Sequence, residues 1–436
     1  MRICGYQCGY EREPLLAPFG FKGGYLSELW QSVVRLEAEN GHWGLGLGSQ
    51  SVLWSDDKVF SVYPEAVGNL MMQQATAFAA EKAVGIRWDT PLELLDKLLP
   101  ETYEFARKVT RNPDLRLTFA LNAMVSVDNA AWMLYGREKG FASFDAMIPA
   151  EFRPALPFRH DRLACIPLIT YKVSVSEVVR AVDEGHCLLK IKIGADPDGD
   201  GDRDKMLAWD MARLTEIHWA VADKRTSLTE TGHVLYYLDA NGRYDSQDRL
   251  LRLLDHAGKI GALERIILLE EPFPEGMELD VSGIPARLAA DESAHSEQDA
   301  RWLMDMGYKA MALKPIAKTL STSLRVAKLA HERGVVCFCA DLTVNPVLVE
   351  WNKNMAARLP ALPGMKVGVL ESNGHQNYRN WETMKSYHPH ANAGWAEMKD
   401  GVFNLDQGFY TASGGILEVG EHYLNLMKHE QEKAHV

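Results

Sequence analysis

The sequence lacks the features of a nucleic-acid-binding or membrane protein. It has no excess of basic residues: the formal net charge is −12 over 436 residues, whereas nucleic acids and anionic membranes select for clusters of positive charge. No stretch reaches the ~20 apolar residues of a membrane span, and the first ten residues contain no apolar segment typical of a signal peptide. We therefore expect a cytoplasmic protein that binds neither nucleic acid nor membrane.

Cysteine is also scarce, and no internal repeat or low-complexity segment is visible. The six cysteines are scattered, and no second Cys or His pair completes a zinc site at the spacing such sites need. Free cysteine in a cytosolic protein is usually reduced and buried. We expect this state for all six, which are Cys4, Cys8, Cys165, Cys187, Cys337 and Cys339.

The hydrophobic content of 47% is enough for a large core and for more than one domain. Residues up to about 60 are typical of strands and loops, with a turn-rich stretch at Gly44, Gly46 and Gly48. From about 66 to 140 the pattern is helical; the segment 121–135 has helical spacing and Gly136 follows as a stop signal. Three prolines between 149 and 162 indicate a linker.

Beyond the linker, short apolar runs alternate with amphipathic helical segments. Eight such runs within about 210 residues predict a (β/α)8-type TIM barrel in an α/β protein. The connection between the fourth and fifth runs is too short for a full helix. We expect an N-terminal α+β capping domain over residues 1–150, a barrel domain over 160–384, and a tail over 385–436 that packs back on the capping domain. The runs are 165–171, 187–193, 233–238, 265–269, 287–290, 309–313, 335–340 and 365–370.

Charged residues end five consecutive runs, at the strand ends where barrel active sites lie. They come in the order Lys190-x-Lys192, Asp239, Glu270, Asp291 and Lys314. One carboxylate at a strand end is more often a helix cap or a solvated loop residue, and one lysine is more often a surface charge. Five such endings in succession favour a functional site.

The carboxylates predict a metal site, and the lysines predict bases. Three carboxylates on neighbouring strands repel one another unless a cation lies between them, and oxygen ligands favour Mg²⁺, with Mn²⁺ as an alternative. Lys190 and Lys192 point to the same side of a strand, so mutual repulsion and burial are expected to lower the pKa of these lysines. A lysine that is neutral near pH 7 can serve as a general base.

The order of these residues and their local sequences resemble the enolase superfamily, in its muconate lactonizing enzyme and dipeptide epimerase branch of the mandelate racemase/muconate lactonizing enzyme family. Lys190-Ile-Lys192, Leu-Asp239-Ala-Asn, Glu270-Glu-Pro, Ala-Asp291-Glu-Ser and Lys314 carry the resemblance, and 127–136 resembles a helix of that family. The seventh run ends in Asp341 without a histidine, which favours the lysine–lysine branch over the mandelate racemase branch.

The resemblance implies magnesium, a capping domain over the barrel mouth, and abstraction of the proton α to a carboxylate. It implies that Lys192 is the main base, that Lys190 tunes its pKa, and that Lys314 serves the opposite face. The metal would stabilise the enolate.

Two regions depart from the pattern, and they are the candidate substrate-binding residues. Asp341 stands at the seventh strand end, where a Glu-Ser is expected. Glu371 and Asn373 stand at the eighth, where dipeptide epimerases carry Asp-x-Asp to hold an ammonium group. This polar set suggests an acid that bears a hydroxyl or amine; a hydrogen-bonded surface loop over 371–380 is the alternative interpretation.

Phe19 and Lys22, in the segment 18–24, resemble a mobile specificity loop, although an ordinary turn is possible. A second such loop is expected near residues 49–54.

Two further patterns are decoys. Asp196 to Gly201 resembles the start of an EF-hand loop, but Leu207 occupies the position that needs a bidentate glutamate. We interpret it as an acidic turn whose Asp202 and Asp204 begin the next helix. The glycines at 44, 46 and 48 lack the spacing and the βαβ context of a dinucleotide site.

The leading hypothesis is a magnesium-dependent racemase or epimerase that acts on a small amino-acid, dipeptide or hydroxy-acid type carboxylate. Cycloisomerisation and dehydration of an acid sugar could follow from the same enolate, and fold alone does not separate these outcomes. A metal-binding homologue without catalysis is the alternative of a different class. We also expect a homo-oligomer.

Overall fold

Two sheets organise the protein, a computed structural model that describes residues 1–21 and 24–434. The first sheet is antiparallel, with the strand order β1 (Ile3–Phe21), β2 (Gly24–Ala38) and β3 (Trp43–Gln50). The second has 11 strands and is mainly parallel. Helices between and around these sheets complete an α/β fold, so the predicted fold class is confirmed.

Seven helices follow the first sheet. They are α1 (Val52–Ser55), α2 (Asp57–Val62), α3 (Glu65–Ala83), α4 (Pro91–Thr110), α5 (Leu117–Ala123), α6 (Val125–Lys139) and α7 (Phe144–Met147), with a 3₁₀ turn at Ala150–Ala155. The stretch around Gly46, predicted to be turn-rich, is strand β3 instead. A Cβ at Gly46 would lie 2.1 Å from the Ser126 carbonyl oxygen of α6, so glycine is needed there for the close approach of helix and strand.

The segment 121–135 was predicted as one helix that stops at Gly136, and both details are wrong. A break at Met124 divides it into α5 and α6, and α6 continues through Gly136 to Lys139. Gly136 lies against Met147, whose Sδ would be 3.0 Å from an added Cβ. The helix ends at Gly140, whose φ of 68° is the left-handed conformation of a helix C-terminus.

Eight strand positions form the barrel, and all eight runs predicted from the sequence are strands. A single residue, Pro167, separates β4 from β5, which together form the first position. Because β5 pairs with β6 and β4 pairs with β12, the ring closes. The strands are β4 (Arg162–Ile166), β5 (Leu168–Ile169), β6 (Leu188–Lys192), β7 (Leu235–Asp239), β8 (Ile266–Glu270), β9 (Leu288–Ala290), β10 (Ala310–Leu313), β11 (Val336–Cys339) and β12 (Gly368–Glu371).

Helices connect most successive strands of the barrel. No helix lies between β8 and β9, in residues 271–287, so the prediction that this connection holds no full helix is confirmed. A 3₁₀ turn at Leu263–Arg265 precedes β8. Asp202 accepts hydrogen bonds at the N-terminus of α9, in agreement with the acidic-turn interpretation. The helices are α8 (Val175–Asp183), α9 (Arg203–Val221), α10 (Gln247–Lys259), α11 (Glu297–Asp305), α12 (Pro315–Lys318), α13 (Leu320–Glu332), α14 (Pro346–Ala356), α15 (Gly374–Asn377) and α16 (Trp381–Ser386).

The tail contacts both halves of the protein. It contains β13 (Met398–Lys399), β14 (Val402–Asn404), α17 (Gln407–Ala412), a 3₁₀ turn at Ser413–Gly415 and α18 (Glu421–Ala434). Helix α18 packs on β1, where His422 Nε2 lies 2.7 Å from Glu11 Oε2. Strand β14 instead pairs antiparallel with β4 of the barrel. The domain boundaries expected near residues 150, 160 and 385 stay predictions.

The first sheet is tied to the barrel mouth by buried hydrogen bonds. Gln31 Nε2 donates to the Tyr378 hydroxyl at 2.9 Å, and Asn345 Nδ2 donates to Gln31 Oε1 at 2.9 Å. The expected loop over 18–24 is the end of the β1–β2 hairpin: Phe19 pairs with Leu26, which makes it a strand residue. Lys22 and the side chain of Phe19 lie outside the described residues.

Burial of the cysteines agrees only in part with the prediction. None of the six forms a disulfide within the described residues, and those at 165, 187, 337 and 339 are buried. Cys4 is exposed and Cys8 is partly exposed, because both lie on the outermost strand of the three-stranded sheet. Burial was therefore wrongly expected for Cys4. In the part of the chain that the structure describes, no helix is long and apolar enough to cross a membrane.

Candidate active site

Three buried carboxylates lie at the carboxyl ends of three neighbouring barrel strands. Asp239 and Glu270 are the last residues of β7 and β8, and Asp291 follows β9 directly. None is more than 1% exposed. Parallel strands bring their carboxyl ends to one edge of the barrel, so these side chains converge there.

One group of possible metal ligands includes Glu292, which was not among the predicted ligands. Oxygen atoms of Glu270, Asp291 and Glu292 lie within 4.8 Å of one another. Asp239 lies outside this group and is engaged by lysines. Glu270 Oε1 is buried and has no hydrogen-bond partner among residues 1–21 and 24–434. Burial and the nearby charge of Asp239 raise the pKa of Glu270 well above its ordinary value. A buried oxygen without a donor, in a set of oxygen ligands, fits a hard divalent cation.

Lys190 lies among three carboxylates. Its Nζ is 2.8 Å from Glu270 Oε2, 3.0 Å from Asp239 Oδ2 and 3.1 Å from Glu371 Oε2. Burial alone would lower the pKa of this lysine, but the three carboxylates raise it well above the ordinary value. The prediction of a lowered pKa for Lys190 is therefore wrong. It was based on repulsion from Lys192, whereas the three surrounding carboxylates have the larger effect and raise the pKa.

Lys192 lies two residues further along β6 and shares a carboxylate with Lys190. Its Nζ is 2.5 Å from Asp239 Oδ2 and 2.5 Å from Asn241 Oδ1. Asn241 Nδ2 donates in turn to Glu292 Oε1 at 2.9 Å. Lys190 and Lys192 together lower the pKa of Asp239, although burial opposes them. Asp239 is thus ionised, and Asn241 links the lysine pair to the carboxylate group.

A second lysine pair faces Asp291 from the other side of the mouth. Lys314, which follows β10, contacts Asp291 Oδ2, and Lys318 lies one helical turn later with its Nζ 3.2 Å from Oδ1. Lys318 also donates to the carbonyl oxygens of Asp291 and Ala294, at 2.5 and 3.1 Å. Burial alone would lower the pKa of Lys314, but Asp291 and Glu292 raise it above the ordinary value. The indole ring of Trp54 lies over Lys314, with Nζ 4.6 Å from the ring centroid.

Residues of the seventh and eighth strand ends form the wall beside Lys190. Glu371 Oε2 accepts from the Asp341 backbone N–H at 3.2 Å, and Asp341 Oδ2 accepts from the Asn373 N–H at 2.8 Å. Burial and the charge of Glu371 raise the pKa of Asp341 to about 7. All three residues are at most 5% exposed, so the alternative of a hydrogen-bonded surface loop over 371–380 is wrong for residues 371 and 373.

Two neighbouring cavities lie at this site. The inner cavity has a volume of about 50 Å³. Its lining includes Lys190, Lys192 and Lys314 and most of the predicted acids. A mouth cavity of about 760 Å³ adjoins it at Leu168 and Asn241 and extends to the β1–β2 hairpin. Residues of the predicted second loop, Ser51 and Trp54, line the inner cavity.

Several site residues were not selected from the sequence, although signals for some exist. Tyr237 lies two residues before Asp239 on the same face of β7, and its hydroxyl donates to Glu270 Oε2. Lys318 follows Lys314 at helical spacing, and Glu292 is adjacent to Asp291. Strand period and helix period could have indicated Tyr237 and Lys318. No local sequence pattern indicates that Asn241 connects the lysine pair to the carboxylate group.

Comparisons with known proteins agree with this architecture. The family model described as "Enolase C-terminal domain-like" matches residues 174–403, more than half of the chain. No curated protein sequence matches the chain.

Solved structures give further matches. A mandelate racemase/muconate lactonizing protein from Herpetosiphon aurantiacus has a TM-score of 0.64 at 17% identity, over 93% of this chain and 96% of that one. A dipeptide epimerase from Enterococcus faecalis V583, in complex with Mg and L-Leu-L-Tyr, has 0.60 at 16% identity, over 87% and 92%. An N-succinyl Arg/Lys racemase from Bacillus cereus ATCC 14579 has 0.61 at 14% identity, over 87% and 89%. At these identities the matches establish the fold.

Proposed function

The chain belongs to the enolase C-terminal domain-like family of the enolase superfamily, and from this premise we propose that it is a divalent-metal-dependent racemase or epimerase. It would exchange the proton on the carbon next to a carboxylate. The observation that carries the proposal is the placement of Lys192 and Lys314. Lys192 ends the second of eight strand positions and Lys314 follows the sixth. These positions are half a turn of the barrel apart, and the carboxylates stand on the strands between them. Two opposed proton carriers are what inversion at a carbon requires.

We propose that Glu270 and Asp291 hold a magnesium ion, with Mn²⁺ as a substitute. Asp239, the predicted third ligand, and Glu292, the neighbour within 4.8 Å of both, are the candidates for the remaining position. A bound divalent cation would supply Lewis-acid stabilisation of the negative charge that develops on the substrate carboxylate. The unpartnered Glu270 Oε1 supports this assignment.

The lysines have distinct roles in this proposal. Lys192 would remove the α-proton on one face, and Lys314 would return a proton on the other; the reverse reaction exchanges these roles. The raised pKa of Lys314 suits a group that arrives protonated. Lys190, surrounded by three acids, would stay positively charged and stabilise negative charge electrostatically.

The substrate would be a small acid with a hydrogen-bond donor near its reacting carbon. Asp341 Oδ1 is buried and without a hydrogen-bond partner in the described part of the chain, and Glu371 and Asn373 stand beside it. An amine or hydroxyl of the substrate would satisfy this oxygen. The inner cavity is small, so the rest of the acid would extend into the mouth cavity, which has room for a dipeptide or an N-acyl amino acid. Phe19 and Lys22 stay candidate contacts.

Solvent deuterium exchange tests the proposal. Amino acids, dipeptides, N-acyl amino acids and hydroxy acids are incubated with the enzyme and magnesium in D₂O, and α-deuteration is followed by NMR. We expect exchange with inversion of configuration. Loss of water would indicate a dehydratase and ring closure a cycloisomerase, the two alternative outcomes of proton abstraction. No exchange across the series would leave the non-catalytic, metal-binding alternative.

Variants separate the roles. Lys192→Ala and Lys314→Ala should abolish inversion, whereas Lys353→Met, which alters a buried lysine outside the inner cavity, should retain it. Asp239→Asn and Glu292→Gln should identify the third ligand, because only the true ligand variant weakens magnesium binding by more than tenfold in calorimetry. Full activity of Asp291→Asn would refute the ligand assignment.

A further inference from the structure

The indole of Trp54 has an unused hydrogen-bond donor at the catalytic cavity. Trp54 belongs to α1, in the segment that follows the first sheet, and it is 3% exposed. Trp54 is one of the residues that line the inner cavity, together with Lys192, Asp291 and Lys314. Yet its Nε1 is buried and finds no acceptor among residues 1–21 and 24–434. Buried donors in folded proteins normally have a partner, so this one calls for an acceptor supplied from outside the chain.

Position distinguishes Trp54 from two other tryptophans with the same deficiency. Trp88 and Trp395 also have a buried Nε1 without an acceptor in the described chain, but neither lines the inner or the mouth cavity. Only Trp54 of these three can meet a ligand there. The other two show that an unpartnered indole N–H does not by itself make a site.

The surroundings of Trp54 indicate the chemistry of the missing acceptor. The ring lies over Lys314, with Nζ 4.6 Å from its centroid, and Lys318 Nζ is 5.9 Å from it. The edge of an indole ring is electropositive, so this wall presents that edge beside the ion pair of Lys314 with Asp291. A negatively charged oxygen complements it better than a neutral one.

We propose that Trp54 Nε1 donates a hydrogen bond to an anionic oxygen of the bound acid, while the ring face holds Lys314 in place. This assignment rests on the proposed function, since it takes the substrate to be a carboxylate that binds between Lys192 and Lys314. Trp54 is then a substrate-contacting residue that comes from outside the barrel. It fixes the orientation of the acid towards Lys314.

The decisive variant removes the N–H and keeps an aromatic ring. Trp54→Phe loses the donor but leaves a ring face for Lys314, and replacement of Trp54 by the benzothienyl analogue of tryptophan loses only the N–H. Trp88→Phe is the matched control, because it removes an equally buried and equally unpartnered N–H away from the cavity. The probes are lactate, N-acetylalanine and L-Ala-L-Ala in saturating magnesium, with Kd measured by calorimetry.

We expect the best-bound probe to bind roughly ten- to hundredfold more weakly to both Trp54 variants, the range for one hydrogen bond to a charged group, and unchanged to Trp88→Phe. In spectra of ¹⁵N-tryptophan protein, the indole signal that is missing in Trp54→Phe should move downfield when the probe is added to the wild type. An unchanged Kd in the Trp54 variants, an unmoved signal or no probe binding to the wild type would overturn the assignment.

The outcomes for the two proposals are separable. Probe binding that depends on the Trp54 N–H without any α-deuteration would retain this contact and refute the racemase proposal. α-Deuteration with equal kcat/KM in wild type and Trp54→Phe would retain the racemase proposal and refute the Trp54 contact.

Discussion

Replacement of Lys190 by methionine should make the stability of the protein depend on metal. In the wild type the Lys190 ammonium lies within 3.1 Å of Asp239, Glu270 and Glu371, and its side chain is 4% exposed. Methionine keeps most of the side-chain volume and removes the charge. The three buried carboxylates then lose their shared counter-charge, and removal of one partner of a buried ion pair costs about 3–5 kcal/mol.

The expected shift in melting temperature follows from chain length. With an unfolding entropy of about 2.1 cal/mol/K per residue, 436 residues give about 0.9 kcal/mol/K, so the loss corresponds to roughly 3–5 °C in the presence of a chelator. A cation at a hundred times its Kd would return about 2.7 kcal/mol. Because the variant has no ammonium to displace from the carboxylates, it should also bind magnesium more tightly than the wild type.

Calorimetric melting of both proteins, in EDTA and in excess magnesium, checks this reasoning. The control is Lys353→Met: Lys353 is fully buried and its Nζ lies 2.7 Å from Glu350 Oε1, so it should lose comparable stability without recovery in magnesium. Equal melting temperatures of wild type and Lys190→Met in EDTA would refute the counter-charge role of Lys190. Equal recovery in both lysine variants would refute the competition between Lys190 and the metal.

Three further predictions concern other parts of the fold. The pKa of Asp341 is raised from 3.8 to about 7, so the folded state binds the extra proton and its stability falls as the pH rises across that window. Asp341→Asn should flatten this decline in thermal melts from pH 4 to 8. An unchanged stability profile would contradict the raised pKa. Thr319 has a φ of 73° and caps α13. Thr319→Gly should relieve the backbone strain at little cost to the cap, and should raise the free energy of unfolding in urea by about 1 kcal/mol. A lower free energy of unfolding would contradict the strain. Gly46→Ala should destabilise the protein by about 1–3 kcal/mol or more through overpacking against α6. Gly283→Ala should leave stability unchanged, because an added Cβ there would have no atom within 4 Å. Similar melting temperatures of the two variants would count against the close approach of β3 and α6.

Local patterns predicted the barrel well, because its strands are short apolar runs separated by amphipathic helices. The convergence of Asp239, Glu270 and Asp291 also followed from local information, since their positions at strand ends determine where they point. Gly46 was misjudged because the partner that requires glycine, α6, lies about 80 residues further along the chain. A glycine-rich pattern alone does not distinguish a turn from a strand under a helix.

The electrostatics of the site could not be predicted in the same way. Repulsion between Lys190 and Lys192 is visible in the sequence, whereas the carboxylate of Glu371, 181 residues away, is brought to Lys190 only by closure of the ring. Thr319 adopts a positive φ between α12 and α13, which no residue preference predicts for a β-branched side chain. The direction of a pKa shift therefore depends on long-range contacts that the strand pattern does not specify.

The double attachment of the tail has a consequence for the order in which the protein forms during synthesis. Strand β14 completes hydrogen bonding along β4, and α18 covers β1, yet both are made after every barrel strand. While the ribosome is still adding residues 398–427, β4 and β1 each have an uncovered neighbour position. Until the tail has been made, the side of β4 that pairs with β14 is an open strand edge, of the kind that can pair with other chains during folding.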